Sequence, residues 1–175
     1  MNVHPTTAVP GTGPTSPAQR LDYAAQSPQL LKKLTELNVA AASGAIEETI
    51  RDLVELRASQ MNGCTFCVDM HVKMARIHGE RELRLHHVAA WRESNLFTPR
   101  ERAALAWAEV LTRMPDGGVP DDTYGRVRTQ LSEKEIVDLT FVVVAINAWN
   151  RLNVAFRPVP GAYDETYGLA KAGLD

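Results

Sequence analysis

Cysteine is scarce here: 2 of 175 residues, too few to staple a small secreted scaffold with disulfides. Excess charge of one sign is also missing, because 19 Lys and Arg against 21 Asp and Glu leave a formal charge of −2. That balance excludes the electrostatic footprint of a protein built to hold nucleic acid or an anionic membrane surface. No long apolar run occurs either. The longest purely aliphatic stretch, Val142-Val143-Val144-Ala145-Ile146, falls far short of the roughly 20 residues a bilayer span needs. The N-terminus lacks the basic start and apolar stretch of a signal peptide. The expectation is a soluble cytoplasmic protein with no nucleic-acid or membrane partner, in which a close cysteine pair serves catalysis or metal binding rather than permanent cross-linking.

Residues 1–19 carry Pro5, Pro10, Pro14 and Pro17 among Thr, Gly and Ala, a composition that buries little apolar surface. It reads as a disordered arm, leaving 20–175 as one domain. From Ser27-Pro28 the punctuation is helical. Ser27 can cap, Pro28 suits the first helical position, and Leu30, Leu31, Leu34 and Leu37 form an apolar stripe as far as about Ala42. Glu47 and Glu48 favour the positive end of a second helix whose apolar face is Ile46, Ile50, Leu53, Val54 and Met61. Asn62-Gly63 ends it, and Cys64 lies at the start of a third helix running to about His78. A shorter helix carries Leu83, Leu85, Val88 and Trp91. Thr98 with Glu101 and Ser132 with Glu135 fit reciprocal capping, opening helices near 99–114 and 133–156, bridged by a short helix around 121–130. No stretch alternates convincingly as a strand, so the class is all-α. Apolar residues on nearly every face from Leu139 to Trp149 imply burial on more than one side, in a subunit interface or in the middle of a monomer.

Chemistry concentrates in N-G-C-T-F-C-V-D-M-H. Cys64, Cys67 and His71 are spaced i, i+3 and i+7, one stripe of a helix. Cys-x-x-Cys brings two sulfurs near enough for a disulfide, and a histidine one turn beyond Cys67 can move a proton there. An ordinary thiol is only about 3% thiolate at pH 7, so activation is required. The helix dipole favours Cys64 and His71 favours Cys67, and these two effects alone do not choose between the sulfurs. Upstream, Asp52, Glu55 and Ser59 share a polar stripe. Taken singly they read as a solvated face, although either carboxylate could orient His71 if the two helices pack together.

These residues resemble the alkylhydroperoxidase AhpD and carboxymuconolactone decarboxylase family, over most of the folded chain. The family motif is an acid, eleven intervening residues, then Cys-x-x-Cys-x-x-x-His, and that frame selects Asp52, Cys64, Cys67 and His71. L-R-A-S-Q-M-N-G-C and A-W-N-R-L are similar to small members as well. The resemblance implies a helical AhpD-like domain with the cysteines at the N-terminus of a central helix, assembled as a homo-oligomer, a trimer or hexamer. It further implies a thiol peroxidase in which Cys67 attacks a hydroperoxide, Cys64 resolves the sulfenic acid, and His71 with the upstream acid relays the proton. No bound cofactor is implied; the reductant is an external dithiol, dihydrolipoamide-like, carried by a lipoylated or other dithiol protein.

Two departures bear on this. Asp52 is one methylene shorter than the family's usual glutamate, so the relay either needs a water or passes to Glu55. Phe66 stands where AhpD has a histidine, which predicts weaker peroxidase activity. The decarboxylase branch does not depend on a cysteine pair, so both thiols together favour redox chemistry. Two other readings remain: a redox-sensing oligomer without efficient turnover, and a zinc site in which His78, His86, His87 or Asp69 adds a fourth ligand. Those three histidines otherwise read as surface or helix-end residues, and Trp91, Trp107 and Trp149 as core or interface packing. Asn147, Asn150 and Arg151 suit either a subunit contact or a solvated face.

Overall fold

The computed structural model describes residues 19–174, so the expected disordered arm lies, apart from Gln19, outside the described residues. Among them there is no strand. The helices are α1 (Tyr23–Gln26), α2 (Pro28–Ala42), α3 (Glu48–Met61), α4 (Thr65–Ile77), α5 (Glu82–His87), α6 (Pro99–Arg113), α7 (Asp121–Arg128), α8 (Glu133–Phe156) and α9 (Asp164–Tyr167). Short 3-10 turns follow α5 at Val88–Ala90 and α9 at Leu169–Ala172. The all-α expectation holds. Both capping boxes form: the Thr98 and Ser132 side chains accept from the backbone of Glu101 and Glu135, whose carboxylates reach back to the cap N–H groups. Ser27 precedes α2 without a side-chain cap bond; its N–H instead closes α1 onto the Tyr23 carbonyl. The one-turn helices α1 and α9 are too short to leave a periodic signal in sequence.

α3 is packed on by α4, α6 and α8. Ile50 and Val54 join Ala104 and Trp107 of α6 and Leu139 and Val143 of α8 in one cluster, while Leu53 and Leu56 join Ala75, Leu105 and Trp91 in another. With both sides claimed, the polar residues of α3 have little route to solvent. α8 is long and apolar enough by composition to cross a membrane. It packs instead against α2, α3, α4 and α6, with Asn147, Asn150 and Asn153 buried along it. Val137, Phe141 and Val144 form an exposed apolar stripe on its other side. α2 buries no residue fully, and Leu30, expected in its apolar stripe, is 73% exposed.

Below Trp91 lies a buried charge cluster. Glu109, 2% exposed, accepts from Arg57 Nε at 2.6 Å, from Trp91 Nε1 at 2.9 Å and from Arg92. Burial alone would push this carboxyl up, but the bonds from Trp91, Arg92 and Arg57 outweigh it and hold it below the usual range. Cations of Arg92 and Arg102 also lie 4.3 and 5.2 Å from the Trp91 ring.

Candidate active site

The α3–α4 turn is a Schellman motif. Gly63, at φ +64°, donates to the Gln60 carbonyl and Cys64 N–H to that of Ser59, which satisfies the end of α3 and requires the left-handed conformation glycine adopts without strain. Cys64 is at once the residue that closes α3 and the N-cap of α4, its Sγ accepting the Cys67 N–H at 3.3 Å. Asn62 pins the turn to α8 by donating to Asn147 and Asn150 at 3.0 and 2.8 Å, and Asn150 donates to Ser59 at 3.0 Å. Asn147 and Asn150 are therefore neither a solvated face nor free for a subunit contact. They are buried, while exposed Arg151 turns back onto Asn147.

Cys64 and Cys67 are joined as a disulfide, their Cα atoms 5.3 Å apart. Both are buried, but only Cys67 lines the adjoining cavity of about 590 Å³. Tyr23, Phe66, Met70, Trp149 and Tyr163 give the cavity an apolar, aromatic wall, and its polar lining includes Arg51, Glu55, His71, Asn153 and His78. Trp149, expected only to pack, is part of that wall. The segment after α8 closes one side through Pro158, Tyr163 and Leu169. It is held by Lys73, which reaches Asp69 and Asp164 at 2.9 and 2.6 Å, and by the Gly161 N–H on Asp69.

The solvated reading of the α3 acids is overturned: Asp52, Glu55 and Ser59 are 1%, 6% and 0% exposed. The structure also separates the two carboxylates. Glu55 Oε2 lies 3.4 Å from His71 Nδ1, whereas Asp52, the acid picked out by the eleven-residue spacing, binds His78 Nδ1 at 2.7 Å. The reason is helical phase. Successive residues of α3 step 100° round its axis, so Asp52 and Glu55 face α4 one turn apart and meet histidines seven residues apart. His78 is a helix-end residue, the C-cap of α4, as expected, but it is partly buried and lines the cavity.

Burial pushes the Glu55 carboxyl up to about 8 and the His71 imidazole down to about 4. At neutral pH both groups are neutral, the carboxyl keeping its proton; Nδ1 is buried without a hydrogen-bond partner, and the Glu55 carboxyl lies beside it at 3.4 Å. The pair is a neutral acid beside a neutral imidazole rather than an ion pair. The consequence for stability has a definite sign. Between the usual 4.5 and about 8 the unfolded chain releases the Glu55 proton and the folded chain keeps it. This group's contribution is thus fully present below 4.5, falls as pH rises and levels off above about 8. Glu55→Gln removes that titration, so relative to the parent it should gain on the order of a few kcal/mol between pH 4 and 9. Urea unfolding across that range measures it; a gap between the two proteins that does not change with pH would refute the assignment.

The zinc candidates are engaged elsewhere: Asp69 holds Lys73, His87 bonds Ser94 at 2.9 Å, and exposed His86 lies near Glu82. Among the described residues no three of His, Cys, Asp and Glu gather to hold a metal ion.

A helical chain with a Cys-x-x-Cys pair at the head of a helix, and a histidine–carboxyl pair one turn on, has the AhpD-like architecture. The model of the carboxymuconolactone decarboxylase family matches residues 28–110, and the chain belongs to that family. It is 40% identical over 138 residues to the uncharacterized protein YdfG of Bacillus subtilis, covering 79% of this chain and 94% of YdfG. A solved structure from Agrobacterium tumefaciens, of unknown function and described as a candidate antioxidant-defence protein AhpD, superposes with TM-score 0.78 at 41% identity, covering 81% of this chain and 99% of that one. The debrominase Bmp8 shares the fold at TM-score 0.70 and 17% identity, covering 85% and 79% of the two chains.

Proposed function

We propose that this protein is a thiol peroxidase that reduces hydroperoxides through a Cys64–Cys67 disulfide cycle and is recycled by an external dithiol. The observation that carries this is the asymmetry of the two sulfurs. Cys67 faces the cavity beside the Glu55–His71 pair, and Cys64 sits behind it on the helix N-terminus. In the oxidative step the Cys67 thiolate attacks the distal peroxide oxygen. An S–O bond forms, the O–O bond breaks, sulfur is oxidised to sulfenic acid and the alkoxide leaves. The alkoxide takes a proton from His71 Nε2 while Glu55 gives one to Nδ1, so that no buried imidazolium forms, and Glu55 then regains from solvent the proton that Cys67 released there on ionising. Cys64 then attacks the sulfenic sulfur, expelling water and forming the disulfide.

In the reductive step a dithiol attacks Cys67 from the cavity and Cys64 leaves as thiolate, stabilised by the Cys67 N–H and the helix dipole. The second thiol of the donor then resolves the mixed disulfide, and the donor departs oxidised. Both sulfurs are too buried for a flat protein surface to reach, which favours a slender donor of the dihydrolipoamide type, free or as the arm of a lipoylated protein. The Val137, Phe141 and Val144 stripe is the face on which copies of the chain would meet.

The test is peroxide consumption by the purified protein with dihydrolipoamide as donor, compared across hydrogen peroxide and organic hydroperoxides. Sustained turnover is the expected result. A single oxidation per chain that no dithiol reverses would replace the enzyme with a sensor.

A further inference from the structure

A polar chain separate from the Glu55–His71 pair reaches Cys67. Asn153, on the last turns of α8 and 5% exposed, donates Nδ2–H to Cys67 Sγ at 3.3 Å. Its Oδ1 accepts the Tyr23 hydroxyl at 2.7 Å. Tyr23 is itself anchored: Asp22 caps α1, the Tyr23 ring packs on Phe156 with centroids 5.7 Å apart, and Arg20 N–H bonds the Phe156 carbonyl at 2.9 Å. Neither residue lies within the family-matched segment 28–110, and nothing in the cysteine motif points 86 positions downstream.

We infer that Asn153 is a catalytic residue, its amide N–H holding the Cys67 thiolate, and that Tyr23 is a positioning residue that fixes which end of that amide faces the sulfur. This rests on the reading of Cys67 as the attacking thiol. A flipped Asn153 would press Oδ1 against a developing thiolate, and the Tyr23 hydroxyl, donating to Oδ1, selects the other orientation. Burial, with the nearby Tyr163 and Tyr167, raises the Tyr23 phenol to about 12, so it stays protonated wherever a thiolate forms. The division of labour follows: Cys64 has a backbone N–H, Cys67 has the Asn153 amide, and each sulfur has its own donor when the disulfide opens. The bond matters most before attack, when sulfur carries a full negative charge in a buried setting. Attack then transfers an electron pair from sulfur to oxygen, forming S–O, breaking O–O and spreading that charge.

The experiment uses the Cys64→Ser protein, in which Cys67 is the single thiol and the introduced hydroxyl can still cap α4. The rate of alkylation by iodoacetamide is followed against pH, together with thiolate absorbance. Asn153→Leu should lower the rate at pH 7 about tenfold, by raising the thiol pKa roughly one unit. Asn153→Asp, which keeps the shape and the Tyr23 bond, should lower it at pH values where the introduced carboxyl is ionised, because a carboxylate opposes the thiolate. Tyr23→Phe should act in the same direction but less. Rates that converge at pH 10, where every variant is ionised, show that access is unaltered. An unchanged titration in folded Asn153→Leu overturns the proposal. No peroxide enters this assay, so absent turnover with a shifted titration would sink the peroxidase reading and leave Asn153 in place.

Discussion

Cys67→Ser should abolish dithiol-supported peroxide consumption altogether, whereas Cys64→Ser, treated with peroxide in the absence of dithiol, should be oxidised without forming a disulfide. The two cysteines are three residues apart and equally buried, so the difference comes from what each sulfur faces. Without Cys67 the cavity wall has no nucleophile, and Cys64, which does not line it, cannot take over. Without Cys64 the first step still proceeds, but the chain has no second thiol to condense with the sulfenic acid, which without added dithiol persists or climbs to sulfinic acid. Intact-mass measurement after one equivalent of peroxide separates the outcomes: no added oxygen in Cys67→Ser, one or two in Cys64→Ser. The opposite pattern would exchange the roles of attacking and resolving cysteine.

The largest loss of stability should follow Glu109→Ala, at about 3–5 kcal/mol, because it leaves buried cationic and N–H groups unpaired. Arg57 would keep its charge at 13% side-chain exposure with no carboxylate, and Trp91 Nε1–H would lose its acceptor. Arg92, with 55% of its side chain exposed, can turn to water and accounts for less of the loss. Total stability for a domain of this size is roughly 5–15 kcal/mol, so the change removes a large fraction of it. Urea unfolding of the parent and of Glu109→Ala measures the difference. As a contrast, Glu36→Ala breaks only exposed contacts, with Lys33 at 2.8 Å and Lys32 at 4.0 Å, and should cost about 0–1 kcal/mol. Equal losses at the two positions would mean that the Glu109 cluster is solvated.

The helices with strong local punctuation were legible residue by residue. Pro99 and the reciprocal caps at Thr98 and Ser132 placed α6 and α8, and Asn62-Gly63 placed the turn that presents the cysteines, because such signals act within one helical turn. The partnership of acids and histidines was not legible in that way. Counting eleven residues back from Cys64 reaches Asp52, but which carboxyl meets His71 depends on how α3 is rotated and slid against α4. Packing chose Glu55, and sent Asp52 to His78. Burial of Asp52, Glu55 and Ser59 was hidden for a related reason: on a helix wrapped by three others, a polar stripe carries the same sequence signature as a wet one.

The motif N-G-C-T-F-C-V-D-M-H by itself determined that two thiols and an imidazole share one helical stripe at its N-terminal end, since periodicity and capping are local. Which sulfur faces the cavity, which acid lies beside His71, and that Asn153 reaches Cys67 with Tyr23 bonded behind it were decided by tertiary structure. Those relations join residues that no short-range rule connects, and they exist only once α3, α4 and α8 have closed on one another.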